Sequence, residues 1–218
     1  MSPIVRYESL LTMSSKNLYT NGCSFTYGHT LPREETWPKL LSDKLNCNLI
    51  NESKNGQSFQ SITFNSINTL SELNPENTIV IIGLTWETRY MIQFGNETLD
   101  VSPSCLNSEQ DHEVQNVFAE YYKYLVENDE NLSENQRKNL ITNLISLQSF
   151  LKQNKFEYRI INFLTQLSEI DLPIYNKLDK SKIINFRDDW RDLYIDDTSH
   201  PTKEGCVNIS EVIYDNIN

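Results

Sequence analysis

Two short motifs at opposite ends of the chain carry residue types that do covalent chemistry. Near the start, Gly22-Cys23-Ser24-Phe25-Thr26-Tyr27-Gly28 follows a strand-like run, Lys16 to Asn21, so a serine hydroxyl is presented where a sheet ends. Near the finish, Asp197-Thr198-Ser199-His200-Pro201 places a carboxylate three residues before an imidazole. A serine hydroxyl is a poor nucleophile until a base takes its proton, and an imidazole base works only when held in one tautomer. Ser24 as nucleophile, His200 as base and Asp197 as orienter therefore read as a triad for acyl transfer. Asp196 stands beside Asp197 as an alternative orienter by register. Taken alone, Ser24 reads more simply as the cap of the next helix; the glycines on either side and the distant Asp-x-x-His reverse that preference.

These blocks resemble those of the SGNH or GDSL-like hydrolases. In that family the first block is Gly-Asp-Ser with a glycine four residues after the serine, matched here by Gly22, Ser24 and Gly28, with Cys23 in place of the aspartate. The last block, Asp-x-x-His followed by Pro, is matched by Asp197, His200 and Pro201. Two middle blocks supply oxyanion donors in the family. The first maps to Gly56, and the second, a Gly-x-Asn, maps to Gly83-Leu84-Thr85 with Thr85 where the asparagine would stand. The resemblance implies a serine esterase that works through an acyl-enzyme, with Ser24, Gly56 and Thr85 around the oxyanion. A non-catalytic binding or structural protein on the same fold is the alternative.

Such residues must be carried to one place by the sheet. Strand-length apolar runs recur at Leu18 to Asn21, Asn48 to Asn51, Thr78 to Leu84, Tyr158 to Leu164 and Lys182 to Phe186. The run Thr78-Ile79-Val80-Ile81-Ile82-Gly83 is apolar almost throughout, as in a parallel strand covered on both faces. Helical spacing lies between them: Trp37, Leu40, Leu41 and Leu45 share one face behind Pro38, and Phe59, Ile62, Ile67 and Leu70 repeat the pattern. Alternating strands and helices imply parallel pairing with right-handed crossovers. The expected fold is a single α/β domain over 1–218, a three-layer α/β/α sandwich of the flavodoxin-like kind with about five strands in the order 2-1-3-4-5. Ser24, Gly56 and Thr85 each follow a strand, so that order brings all three to the same carboxyl edge.

Between Phe94 and Gln110 the pattern dissolves into polar residues, and two longer helices follow, about Glu113 to Glu127 and Ser133 to Lys152. This reads as a helical insertion over about 95–155, either a lid or oligomer contact beside the site or a lengthened crossover. Trp86, Glu87, Arg89 and Tyr90 follow Thr85 directly. Tyr27, Trp86 and Arg89 are the substrate-binding candidates, with His29 also near the mouth. Arg89 either grips an anionic group through its two-pronged guanidinium or pairs with Glu87. That mouth suits a small polar or carbohydrate ester, O-acetyl sugars among them.

Composition narrows the partners. A net charge of −11 opposes binding to a phosphate backbone, so no nucleic acid is expected. Cys23, Cys47, Cys105 and Cys206 have no metal or redox spacing and read as reduced thiols, with Cys23 buried rather than nucleophilic. No signal-like or membrane-length apolar run is present, so a cytoplasmic protein with no membrane partner is expected. The acidic run Asp188, Asp189, Asp192, Asp196 and Asp197 lacks the glycine turn of a calcium loop and reads as a solvated stretch. No metal and no cofactor are expected; the triad needs neither. The oligomeric state is unspecified.

Overall fold

The computed structural model describes residues 16–103, 113–163, 167, 173–186 and 200–217. Five parallel strands form one sheet: β1 (Asn17–Asn21), β2 (Asn48–Asn51), β3 (Thr78–Gly83), β6 (Glu157–Asn162) and β7 (Ile183–Asn185). Their order is β2-β1-β3-β6-β7, the 2-1-3-4-5 arrangement expected from the sequence. β3 is central because it pairs with β1 through Ile79, Val80, Ile81 and Ile82, and with β6 through the same stretch.

Alternation along these strands builds a core on each face. Tyr19, Val80, Ile82, Leu84 and Ile160 pack against α3 (Phe59–Leu70) and α5 (Leu132–Gln153), whose Ile62, Leu140, Leu144 and Leu147 are buried there. Leu18, Ile81, Ile161 and Phe163 face the other way, onto Trp37 and Leu41 of α2 (Trp37–Leu45) and Ile209 and Ile213 of α6 (Lys203–Ile217). Burying such aliphatic side chains on both faces is worth about 1.5–3 kcal/mol each, which is why the sheet is the stable frame for the loops at its edge.

The long connection from β3 to β6 departs from the sequence reading. Where the pattern dissolves after Phe94, the chain forms an antiparallel hairpin, β4 (Tyr90–Phe94) and β5 (Glu97–Val101), closed by Gly95-Asn96 with Gly95 at φ +61. Tyr90, Ile92 and Val101 pack on Phe118, Ala119 and Tyr122 of α4 (Glu113–Asn128), giving this segment a small core of its own. α5 belongs with the main core instead, as the crossover helix that returns the chain to β6.

At the carboxyl edge, Gly22 just after β1 and Gly83 at the end of β3 both crowd one threonine. A Cβ at Gly22 would lie 2.3 Å from Thr26 Oγ1, and one at Gly83 would lie 2.4 Å from the same atom. Thr26 is wedged between them, wholly buried. This close approach lets the segment after β1 fold back over the strand ends.

Candidate functional site

Ser24 sits where β1 gives way to α1 (Ser24–Tyr27), a single helical turn. Gly28 ends that turn at φ +81, donating its N–H to Ser24 O at 3.0 Å, and a Cβ there would meet Thr36 Cγ2 at 2.1 Å. Glycine is therefore required at 28 both by backbone sign and by space. Cys23, one residue before Ser24, is buried in the core with Trp37 and Phe25, as expected for a structural thiol. Cys206 is buried on the same face, and that burial pushes its thiol up to about 11.

Ser24 is 6% exposed, close to solvent without being immersed in it. Its hydroxyl and its N–H make no hydrogen bond among the described residues, and the same holds for the N–H of Gly56. An oxyanion site needs open backbone donors near the nucleophile, and the Ser24 and Gly56 N–H groups are open in this sense. Gly56 lies in the loop between β2 and α3 at φ +75, with no atom near where a Cβ would project. Lys54 N–H donates to Gly22 O at 3.2 Å, tying this loop to the serine loop.

Beneath the serine loop lies a buried polar network. Asn21 Oδ1 accepts the Gly22 N–H at 2.8 Å, while its Nδ2 donates to Ser66 Oγ at 3.0 Å and to Tyr19 Oη at 3.2 Å. Tyr19 in turn donates to Glu52 at 2.6 Å, and Thr69 donates to the other oxygen of that carboxylate at 2.7 Å. Burial and the Glu52 carboxylate hold the Tyr19 phenol far above its ordinary range. It stays a neutral donor, and the chain of bonds fixes the backbone just before Ser24.

His200 is half-buried, with its ring centroid 5.4 Å from that of Phe25 and 4.6 Å from that of His29. Phe25 adjoins Ser24, so the imidazole is set beside the serine turn. No Ser24–His200 hydrogen bond is present in this conformation. Asp197 and Asp196 lie outside the described residues, as do Cys105 and the rest of the acidic run.

Thr85 follows β3 and is fully buried, its Oγ1 accepting from Arg89 Nη1 at 2.7 Å. Arg89 thus turns toward Thr85 rather than pairing with Glu87. The crevice shared by Trp86, Glu87, Arg89 and Asn143 encloses about 10 Å³, room for one water at most. A larger cavity of about 320 Å³ opens beside the end of the serine turn, lined by Tyr27, Gly28, Leu31, Arg33, Asn51 and Ser53. That is the volume of a small-ligand site. Tyr27 lines it as expected, whereas Arg33 was missed by the sequence reading. Its guanidinium is exposed and unpaired among the described residues. The signal available was its place five residues after Gly28, in the loop that must border the site.

No protein-family model matches the sequence, and no curated protein matches it either. Solved structures do resemble the fold. The psychrotrophic esterase EstA of Pseudoalteromonas aligns over 93% of this chain and 97% of its own, with a TM-score of 0.54 and 17% identity. A member of the lipolytic G-D-S-L family from Veillonella parvula aligns over 92% and 97%, at 0.53 and 13%. The acetyl xylan esterase AlAXEase aligns over 93% and 100%, at 0.55 and 12%. At such identities the likeness is one of architecture: the chain has the α/β/α fold of the G-D-S-L lipolytic and carbohydrate esterases.

Proposed function

We propose that the protein is a serine ester hydrolase that removes an acyl group from a small polar ester, O-acetyl carbohydrate included, through an acyl-enzyme on Ser24. The observation that supports this reading is the serine turn after β1, where the Ser24 hydroxyl and N–H are unengaged among the described residues and the His200 ring lies 5.4 Å from that of the adjoining Phe25. Ser24 Oγ attacks the ester carbonyl as its proton passes to His200, and the carbonyl oxygen becomes an anion held by the N–H groups of Ser24 and Gly56. His200 then protonates the departing alcohol, and water repeats the sequence to free the acid and regenerate Ser24. Asp197, or Asp196, orients the imidazole. The named activities of the solved neighbours support ester cleavage, and AlAXEase supports an acetyl group on a sugar.

Covalent labelling tests the nucleophile directly. After exposure to a fluorophosphonate, intact mass should rise by one phosphonyl group, and peptide mapping should place it on Ser24. The missing Ser24–His200 hydrogen bond and the burial of Thr85 favour one other reading, a binding protein without turnover. An unlabelled Ser24, with no release of nitrophenol from nitrophenyl acetate, selects that reading.

Two residues set finer expectations. Arg33 is the cation facing the 320 Å³ cavity, so Arg33→Ala should raise KM about tenfold for a succinyl ester and leave it unchanged for the acetyl ester. Equal KM shifts for both esters remove Arg33 from recognition. Thr85 is engaged below the surface, so Thr85→Val should cost about 1–2 kcal/mol of stability through the lost Arg89 acceptor. Single-turnover acylation should slow by less than about tenfold. A fall of about a hundredfold or more at unchanged stability would instead make its hydroxyl an oxyanion donor.

A further inference from the structure

The inserted hairpin reaches back to the loop that carries Gly56. Asp100, in β5, accepts the Ser58 N–H at 3.0 Å and the Ser61 hydroxyl at 2.6 Å, both through Oδ1. Ser58 is the N-cap of α3, its own Oγ accepting the Ser61 N–H at 3.2 Å. A second tie runs between the same elements, from the Met91 N–H to Gln60 Oε1 at 2.8 Å. The carboxylate also sits at the positive end of a twelve-residue helix, where an anion is favoured.

Before Ser58, polar bonding in this loop is sparse among the described residues. Gly56 is half-buried, with open space where a Cβ would project. Gln57 is fully buried, yet neither polar atom of its side-chain amide has a partner among the described residues. The Gln57 N–H meets Lys54 O at 3.4 Å, a long bond. The charge-assisted pair of bonds to Asp100 therefore adds a strong polar restraint to this loop.

We propose that Asp100 is a positioning residue for the oxyanion site: through Ser58 and Ser61 it fixes the loop so that the Gly56 N–H points at the developing charge. The catalytic consequence rests on the esterase reading; the restraint itself does not. A donor displaced by about 1 Å loses about a hundredfold in rate while substrate binding is largely kept. The insertion then serves the chemistry by clamping one wall of the site.

The test compares Asp100→Ala, Asp100→Asn and Ile92→Ala with wild type. Ile92→Ala weakens the hairpin's packing on α4 without touching the Asp100 bonds. For Asp100→Ala, kcat should fall about tenfold to a hundredfold with KM within about threefold. Asp100→Asn keeps an acceptor oxygen and should recover part of the loss. Amide hydrogen exchange at residues 57–61 should accelerate in Asp100→Ala, with β1 and β3 unchanged. Unaltered exchange at those residues overturns the proposal, as does a kcat loss in Ile92→Ala equal to that in Asp100→Ala. If wild type turns over no ester, the esterase reading falls, and the exchange data alone decide whether Asp100 holds the loop.

Discussion

Ser24→Ala is expected to lower kcat/KM by about four orders of magnitude or more while leaving the fold intact. Removing the nucleophile of a serine hydrolase leaves only the rate enhancement supplied by binding and the oxyanion donors. The protein should not be destabilised, because the Ser24 hydroxyl makes no hydrogen bond among the described residues. The change in unfolding free energy should stay within about 1 kcal/mol. KM for a nitrophenyl ester should be nearly unchanged, since the hydroxyl acts on the transition state. His200→Ala should cost a similar factor, and the double variant should be no slower than either single one. Residues acting as a unit lose their effect together. Additive losses in the double variant, or full turnover without Ser24, would remove the pair from the mechanism.

Trp37→Ala should be the most destabilising single truncation near the site, at about 3–5 kcal/mol. Trp37 is wholly buried, and its indole N–H donates to Phe25 O at 3.0 Å. The Phe25 ring in turn lies 5.5 Å from that of Phe163 and 5.4 Å from that of His200. The cavity left by the indole thus opens under the turn that presents Ser24. Trp37→Phe separates two contributions: the ring refills most of the volume, but the Phe25 carbonyl loses its donor, at about 1–3 kcal/mol. Urea unfolding of both variants measures the difference. A loss below about 1 kcal/mol in Trp37→Ala would show that the core beneath α1 is not what holds the turn.

The sheet was readable because its signal is strong and local. Thr78 to Gly83 is apolar on both faces, and each of the other strand-length runs lies between helical stretches, which leaves few topologies open. Gly28 was readable from its place four residues after Ser24 in the first motif, and the positive φ and the 2.1 Å approach to Thr36 give the physical reason a glycine stands there. The hairpin was missed because its strands are half-solvated and polar. Tyr90, Ile92, Leu99 and Val101 do alternate, but Gly95-Asn96 read as breakdown of pattern rather than as a two-residue turn. Arg89 was misdirected by proximity in sequence: it stands four residues after Thr85, and its guanidinium folds back on that hydroxyl. Arg33 lines a cavity with Asn51 and Ser53, and Asp100 bonds Ser58 at a sequence separation of 42, so both meet loops that only the packed sheet brings near them. No spacing rule reports such contacts.

The wedge at Gly22, Thr26 and Gly83 also constrains how this protein can change over generations. Gly83 is 57 residues from Thr26 in the chain, yet a side chain at 83 would collide with Thr26 Oγ1 as surely as one at 22 would. A change at any one of the three positions is therefore felt at the others. Trimming position 26 to alanine or glycine removes the Oγ1 clash at both glycines, whereas enlarging residue 22 or 83 first sets a side chain against it. Thr26 offers no hydrogen bond that trimming would sacrifice. The permitted route therefore begins at 26, and descent through this fold acquires a direction.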